Sequence, residues 1–316
     1  MAEIVNTANS IYGQSLQDTK SFSPLPLVLA DRTITTKRSA YVMSIVNCTP
    51  DSFWKDSRCF ETHKAAERVL EHFEQGADIV DIGGESTRPH SVYVSEDEQI
   101  QRVVPVIEEV RRHSNGVLSV DTRTRAVMQA ARQAGADILN DVAALEDDKT
   151  LAQWAAKENI PVVLMHKRGI PLVMQNNTCY TDAVQDIALY LAKRVQYAIE
   201  QGIASDKIII DPGIGFAKDV QANLNLVKAG AFFLNAVKKH CRISIAHALI
   251  GVSRKSFIGE ITGKDVERRL AGTLAVSFAA VQNGYTILRA HDTAETVDML
   301  QVLDALRRTQ TPTIEE

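Results

Sequence analysis

Asp121, Asn140 and Asp211 each follow directly on an apolar run, in LSVD, ADILN and KIIID. Runs rich in Val, Ile and Leu suit strands buried on both faces. A carboxylate or amide at the end of such a strand costs desolvation energy unless a donor meets it. Two carboxylates and one amide together suit the edge of a flat heterocycle that presents N–H groups and ring nitrogens or carbonyls. Lys255, closing the run IGVSRK, supplies a cation to the same place. IIIDPGIGFAK is the most specific short segment: Asp211 ends a strand, Pro212 fixes the backbone, and Gly213 and Gly215 let the main chain pass close to a ligand. Glycine-rich turns after strands are common, and the acid placed first sets this one apart.

A second group is basic. Arg289 and His291 close the last apolar run as ILRAHD, and Ser253, Arg254 and Lys255 close the one before it. An arginine fork, an imidazole and nearby N–H groups bind phosphate or pyrophosphate through charge-assisted hydrogen bonds. An interstrand ion pair between Arg289 and a carboxylate is the competing reading, and it ranks below the anion site. The loops NCTPDSF and GGESTRP form a third group. Asn47 offers an oxygen to a hard cation such as Mg²⁺, held alongside phosphate and water. Taken singly, Ser52, Ser86 and Arg88 read as solvated; two hydroxyl-bearing loops over one pocket read as a lid. Asp81 reads as a structural carboxylate, capping the following helix or orienting a neighbouring loop.

These side chains need a scaffold that gathers strand ends far apart in the chain. Strand candidates fall at 42–47, 78–82, 117–121, 136–140, 161–165, 207–211, 245–252 and 285–289, with helical stretches between them. HKAAERVLEHFEQGA places Ala66, Val69, Leu70 and Phe73 on one face, and EDEQIQRVVPVIEEVRRH begins acidic after Ser95 and ends basic, as caps and the helix dipole favour. This alternation predicts an α/β fold, a single-domain (β/α)8 TIM barrel over 25–310 whose strand C-termini line the active site. LVLADRTITT predicts a hairpin against one end of the barrel, residues 1–24 a poorly ordered tail, and 311–316 a C-terminal tail. Apolar residues of the late helices (Leu274, Val276, Phe278, Met299, Leu300, Leu303) look exposed, but barrel packing explains most of them.

A formal charge of −4 and a pI near 6.1 leave no basic stripe, which argues against nucleic acid or an anionic membrane surface as partner. The N-terminus lacks a secretory pattern, and no apolar run reaches the length of a membrane span. Cys48, Cys59, Cys179 and Cys241 show no metal spacing and read as free, buried thiols in a reducing cytoplasm.

Taken in order, NCTPDSF, GADIVDIGGESTRP, SVDT, AGADILNDV, VVLMHKRGIPLVMQ, IIIDPGIGFAK, GVSRKSFIG and ILRAHD resemble dihydropteroate synthase of folate biosynthesis, over about residues 42 to 295. The resemblance implies a cytoplasmic transferase and sulfonamide target. It implies that a dihydropterin pyrophosphate and 4-aminobenzoate condense to 7,8-dihydropteroate, with Mg²⁺, by a dissociative mechanism in a homodimer. By motif, Asp121, Asn140, Asp211 and Lys255 would hold the pterin, with Met165 and Phe216 at its ring. Asn47, Ser253, Arg289 and His291 would hold the pyrophosphate, Asn47 also its metal. Phe53, Ser86, Thr87, Arg88, Pro89, Phe216 and Ser256 would shape the aminobenzoate pocket, and Asp121, Asp211, Lys255 and Arg289 would carry the chemistry. Three positions depart from the family pattern: SFWKDSRCF replaces a glycine-rich stretch, and His90 and Ala217 stand where glycine is usual. A pterin-dependent methyltransferase would share Asp121, Asn140 and Asp211 without needing ESTRP, SRK and RxH together. A non-catalytic pterin-binding paralogue would have no use for an anion clamp.

Overall fold

In a computed structural model, residues 23–48, 57–86, 91, 93–169 and 178–309 are described, with the side chains of 57–61 outside that description. The order is β1 (Leu27–Val28), β2 (Thr33–Ile34), β3 (Tyr41–Asn47), α1 (Ser57–Glu74), β4 (Ile79–Gly83), α2 (Glu96–Arg111), β5 (Val117–Asp121), α3 (Arg125–Ala134), β6 (Ile138–Asp141), α4 (Leu151–Glu158), β7 (Val162–Met165), α5 (Ala183–Glu200), β8 (Ile208–Asp211), α6 (Val220–Cys241), β9 (His247–Ile250), α7 (Ser256–Thr262), α8 (Leu270–Gln282), β10 (Ile287–Ala290) and α9 (Thr293–Arg308). Strands β3 to β10 pair in parallel and close into a barrel in chain order, with β10 beside β3. The expected (β/α)8 barrel is the fold. All the candidate strands form, within two or three residues of their predicted ends.

Side-chain alternation sorts the core into two parts. Val42, Val80, Leu118, Leu139, Val162, Ile208, Ala248 and Leu288 face outward into the main core under the helices. Their neighbours Met43, Ile79, Val117, Ile138, Val163, Ile209, Leu249 and Ile287 point inward and fill the barrel floor. The antiparallel hairpin β1–β2 plugs that floor from below, as expected, with Leu27 and Leu29 buried in the same cluster. Tyr41, at the start of β3, ties it down: its hydroxyl accepts from Leu27 N and donates to the hairpin carbonyls.

The turns entering the barrel repeat one device. GADI occurs at 76–79 and again at 135–138, with both glycines in the left-handed region (φ 95° and 118°). The Asp that follows accepts the first free N–H of the preceding strand: Asp78 from Val42 at 2.8 Å, and Asp137 from Leu118 at 2.9 Å. Arg38 pairs with half-buried Asp78, while Arg32 and Arg111 pair with buried Asp137, so neither carboxylate lacks a cation.

Ser95 caps α2 through Glu98 N, as its sequence requires. Leu300 and Leu303 are core residues, as barrel packing of the late helices implies, while Val302 and Leu306 are the exposed apolar positions of α9. Two expectations need correction. Strand β9 ends at Ile250, so Lys255 stands on the loop, immediately before α7, and not on the strand. Of the three described thiols, all free, only Cys241 is fully buried, and Cys179 is exposed.

Candidate active site

The inward positions continue upward in steps of two from the apolar floor. Ile79 leads to Asp81 and Gly83, Val117 to Ser119 and Asp121, Ile138 to Asn140, Val163 to Met165, Ile209 to Asp211, and Ile287 to Arg289. Asn47, Gly83, Asp121 and Asn140 are register partners across four consecutive strands, and Met165 faces Asp211 across the next pair. The barrel thus changes from apolar to polar within one inward step. Of the predicted pterin residues, Asp121, Asn140, Met165 and Asp211 share its upper rim, while Phe216 and Lys255 stand on the loops above. Gly83 leaves the space between its neighbours open: a Cβ there would stand 3.6 Å from Asn47 Oδ1 and from Asp121 Cβ.

Beneath the rim lies an ion-pair cluster. Arg289 donates from Nε to Asp81 Oδ2 at 2.7 Å, and its Nη2 is 2.6 Å from the same oxygen and 3.0 Å from Asp121 Oδ2. Asp81 is fully buried and also accepts from Asn140 Nδ2 at 2.8 Å. The interstrand ion pair, ranked second from sequence, is therefore what Arg289 forms. Asp81 is neither a helix cap nor a loop anchor; it pins Arg289 and Asn140. Because a carboxylate accepts only, Asn140 must turn its NH2 toward Asp81, which leaves its carbonyl oxygen as the end free to face a ligand. Asp121, Asp211 and Asn140 therefore all offer acceptors.

Burial dominates the electrostatics. It pushes the Asp121 carboxyl up to about 7, against the pull of Arg289 and with the help of Asp81. Asp211 is also raised by burial, opposed by Lys255, while its Oδ1 accepts Gly213 N at 2.7 Å. Burial lowers the Lys255 ammonium to about 8 despite Asp211. Arg289 stays above its ordinary value because Asp81 and Asp121 outweigh its burial. Lys255 donates to the Ile214 carbonyl, and its Nζ lies 4.8 Å from the Phe216 ring centroid. The DPGIG turn must be glycine at Gly213 (φ 68°), where a Cβ would meet the His166 carbonyl oxygen at 2.0 Å.

The predicted anion group is partly assembled. Ser253 Oγ accepts His291 N at 3.2 Å and lies 2.9 Å from His291 Nδ1, joining the ends of β9 and β10. Arg254 points elsewhere, in a bidentate pair with Asp292 at 2.9 and 2.5 Å that ties the β9–α7 loop to the start of α9. Asn47 is exposed at its strand end, Ser256 is exposed on α7, and Ser86 is half-buried. Phe53, Thr87, Arg88, Pro89 and His90 lie outside the described residues, as do residues 1–22 and 310–316.

Sequence reading missed two groups. Lys218 and His166, both nearly fully buried, meet behind the Phe216 turn; VVLMH and GFAK held them, with no sign that the loops would bring them together. Glu85, Tyr93, Arg123, Asp147 and Lys167 form a second cluster at the mouth. There Arg123 lies 3.5 Å from both acids and 3.7 Å above the Tyr93 ring. Among the described residues there is no cluster of three or more His, Cys, Asp or Glu able to hold a metal. No helix among them is long and apolar enough to cross a membrane.

Comparison with known proteins agrees with this arrangement. Residues 43–291 match the family model described as pterin binding enzyme. A dihydropteroate synthase of Haemophilus influenzae is 42% identical over 264 residues, covering 84% of this chain and 93% of that protein. The Xanthomonas albilineans dihydropteroate synthase, solved with 4-aminobenzoic acid, superposes with a TM-score of 0.79 at 39% identity, covering 91% of this chain and 100% of that one. The Burkholderia cenocepacia enzyme, solved with 7,8-dihydropteroate, gives 0.78 at 36% identity, covering 90% and 97%. With the family model spanning most of the barrel and a relative 42% identical over 84% of this chain, the chain belongs to the dihydropteroate synthase family of pterin-binding enzymes.

Proposed function

We propose that the barrel mouth condenses 6-hydroxymethyl-7,8-dihydropterin pyrophosphate with 4-aminobenzoate, releasing pyrophosphate and giving 7,8-dihydropteroate. The chain is a transferase of folate biosynthesis, and the observation that carries the residue assignment is the set of three convergent acceptors. Asp121, Asp211 and the Asn140 carbonyl oxygen match a ring edge rich in N–H donors. Met165 supplies apolar surface for the pterin ring, and Phe216, with Lys255 over it, for the aminobenzoate ring.

Departure of pyrophosphate leaves positive charge on the pterin methylene. Ionised Asp121 and Asp211, fixed in a low-dielectric rim, stabilise that charge through the ring without reorganising. Lys255 beside Phe216 orients the attacking aniline and balances the carboxylates. Ser253 and His291 contact the leaving group, joined by the Nη1 of Arg289, which takes no partner among the described residues. Asn47 offers one hard oxygen, which fits an ion such as Mg²⁺ that takes most of its ligands from water and phosphate. That ion, when bound, offsets pyrophosphate charge.

The test is product formation by the purified chain from the dihydropterin pyrophosphate, labelled aminobenzoate and Mg²⁺. Product that disappears on chelation is expected; pterin binding without any product overturns the reading. We extend the proposal to a cytoplasmic homodimer, supported by exposed Ile261 on α7, Val266 just after it, and Val302 and Leu306 on α9. Sedimentation should give twice the chain mass, and Val302→Lys with Leu306→Lys should give monomer.

A further inference from the structure

Lys218 is 4% exposed and His166 is 4% exposed, and neither has a place in the mechanism above. The Lys218 Nζ lies 3.0 Å from His166 Nδ1 and donates to the Phe216 carbonyl at 2.9 Å. Among the described residues no carboxylate oxygen stands within salt-bridge range of it. A buried amine is costly to charge, and the Asp211 carboxylate offsets only part of that cost. Burial holds it well below its ordinary value, and burial with the nearby Lys218 and Arg168 cations pushes His166 down to about 2.

The contact joins two loops that carry the substrate pocket. His166 follows Met165 at the end of β7, and its N–H is bound to the Asp211 carbonyl. Phe216 belongs to the turn after β8 and has Lys255 over its ring. The next carbonyl, Ala217, is held by the Tyr180 hydroxyl at 3.0 Å, and the Tyr190 ring packs edge-on against His166, with centroids 4.9 Å apart. The whole patch is cross-braced, with Lys218 at its centre.

We propose that Lys218 is a positioning residue for the second substrate, setting the distance between Met165 and the Phe216–Lys255 pair by tying the His166 ring to the Phe216 carbonyl. This rests on the condensation proposed above. It acts through Phe216 and touches neither substrate.

Lys218→Met keeps the stem and removes the amine. In the full chain it should raise KM for aminobenzoate about tenfold while affinity for a pyrophosphate-free pterin changes by less than about threefold, as a small displacement of a positioning group does. His166→Asn, which puts an amide oxygen near the Nδ1 position, should stay within about threefold of the parent, whereas His166→Leu should reproduce the KM defect. An aminobenzoate KM within about twofold of the parent in folded Lys218→Met overturns the proposal, as does a fall in rate that only tracks lost folded protein. If Lys218→Met does not fold, the His166 pair decides: equal KM in Asn and Leu variants overturns it. If the parent chain forms no product, the condensation fails separately. Calorimetry of aminobenzoate on the pterin-loaded chain then decides, and undiminished binding to Lys218→Met overturns it.

Discussion

Arg289 keeps its charge inside the barrel because Asp81 and Asp121 flank it, and Asp81 serves Asn140 as well. Removing one member of a buried charge cluster costs on the order of 3 kcal/mol. Asp81→Asn should therefore lower stability by about that much in denaturant unfolding, and should cut kcat/KM on the order of 100-fold as Arg289 and Asn140 lose their anchor. The raised Asp121 carboxyl gives a pH signature. Between its ordinary value of 3.8 and about 7 the folded chain keeps a proton that the unfolded chain has released. Stability from this group therefore falls as pH rises across that window, and Asp121→Asn should remove that slope. Activity runs the other way, since Asp121 must be ionised to accept a ring N–H. The kcat/KM profile should rise near 7 and fall near 8 as Lys255 loses its proton, with Asp121→Asn abolishing the acid limb and Lys255→Met the alkaline one.

At the level of elements, the strands were legible because their apolar runs are short, β-branched and cut off by polar residues. The helix ends were legible where caps announced them, as at Ser95 and Gly135. What stayed hidden were contacts set by the stagger between strands. Asp81 lies two residues below the rim, and nothing local says that a residue of the last strand reaches it across the barrel. Lys218 and His166 were hidden for the same reason. The departure at Ala217 has a clear cost: its φ of 53° is left-handed, a region that penalises a Cβ. Ala217→Gly should raise stability by about 0.5 kcal/mol, since relief of this strain outweighs the added freedom of the unfolded chain. Denaturant midpoints would show it, and a loss of stability would mean that buried Ala217 contributes more by packing than it costs in strain.

For the molecule as a whole, the barrel is a stack: hairpin plug, apolar floor, ion-pair layer, then acceptor rim. The sequence carried the floor and the rim plainly, as apolar runs and as the residues that end them. It offered an ion pair for Arg289 only as the lesser reading and did not point to Asp81 as the partner, because the two are 208 residues apart. The GADI turns brace the underside. Asp137→Ala strips Leu118 of its acceptor and Arg111 and Arg32 of their counter-ion. It should cost about 2–4 kcal/mol in unfolding while KM for both substrates stays within about twofold.

The two-residue step between floor and rim has an evolutionary consequence. Substitutions at Phe216 or Ser256, neither of them buried, alter what the mouth accepts without opening a void in the layer that folds the chain. Selection can therefore retune the pocket, toward a new amine or away from a competing one, while the barrel stays folded. Asp81 and Arg289 have no such freedom, because there a change in chemistry is also a change in stability. Drift should be wide at those pocket positions and nearly frozen at the acceptors and at the ion pairs beneath them.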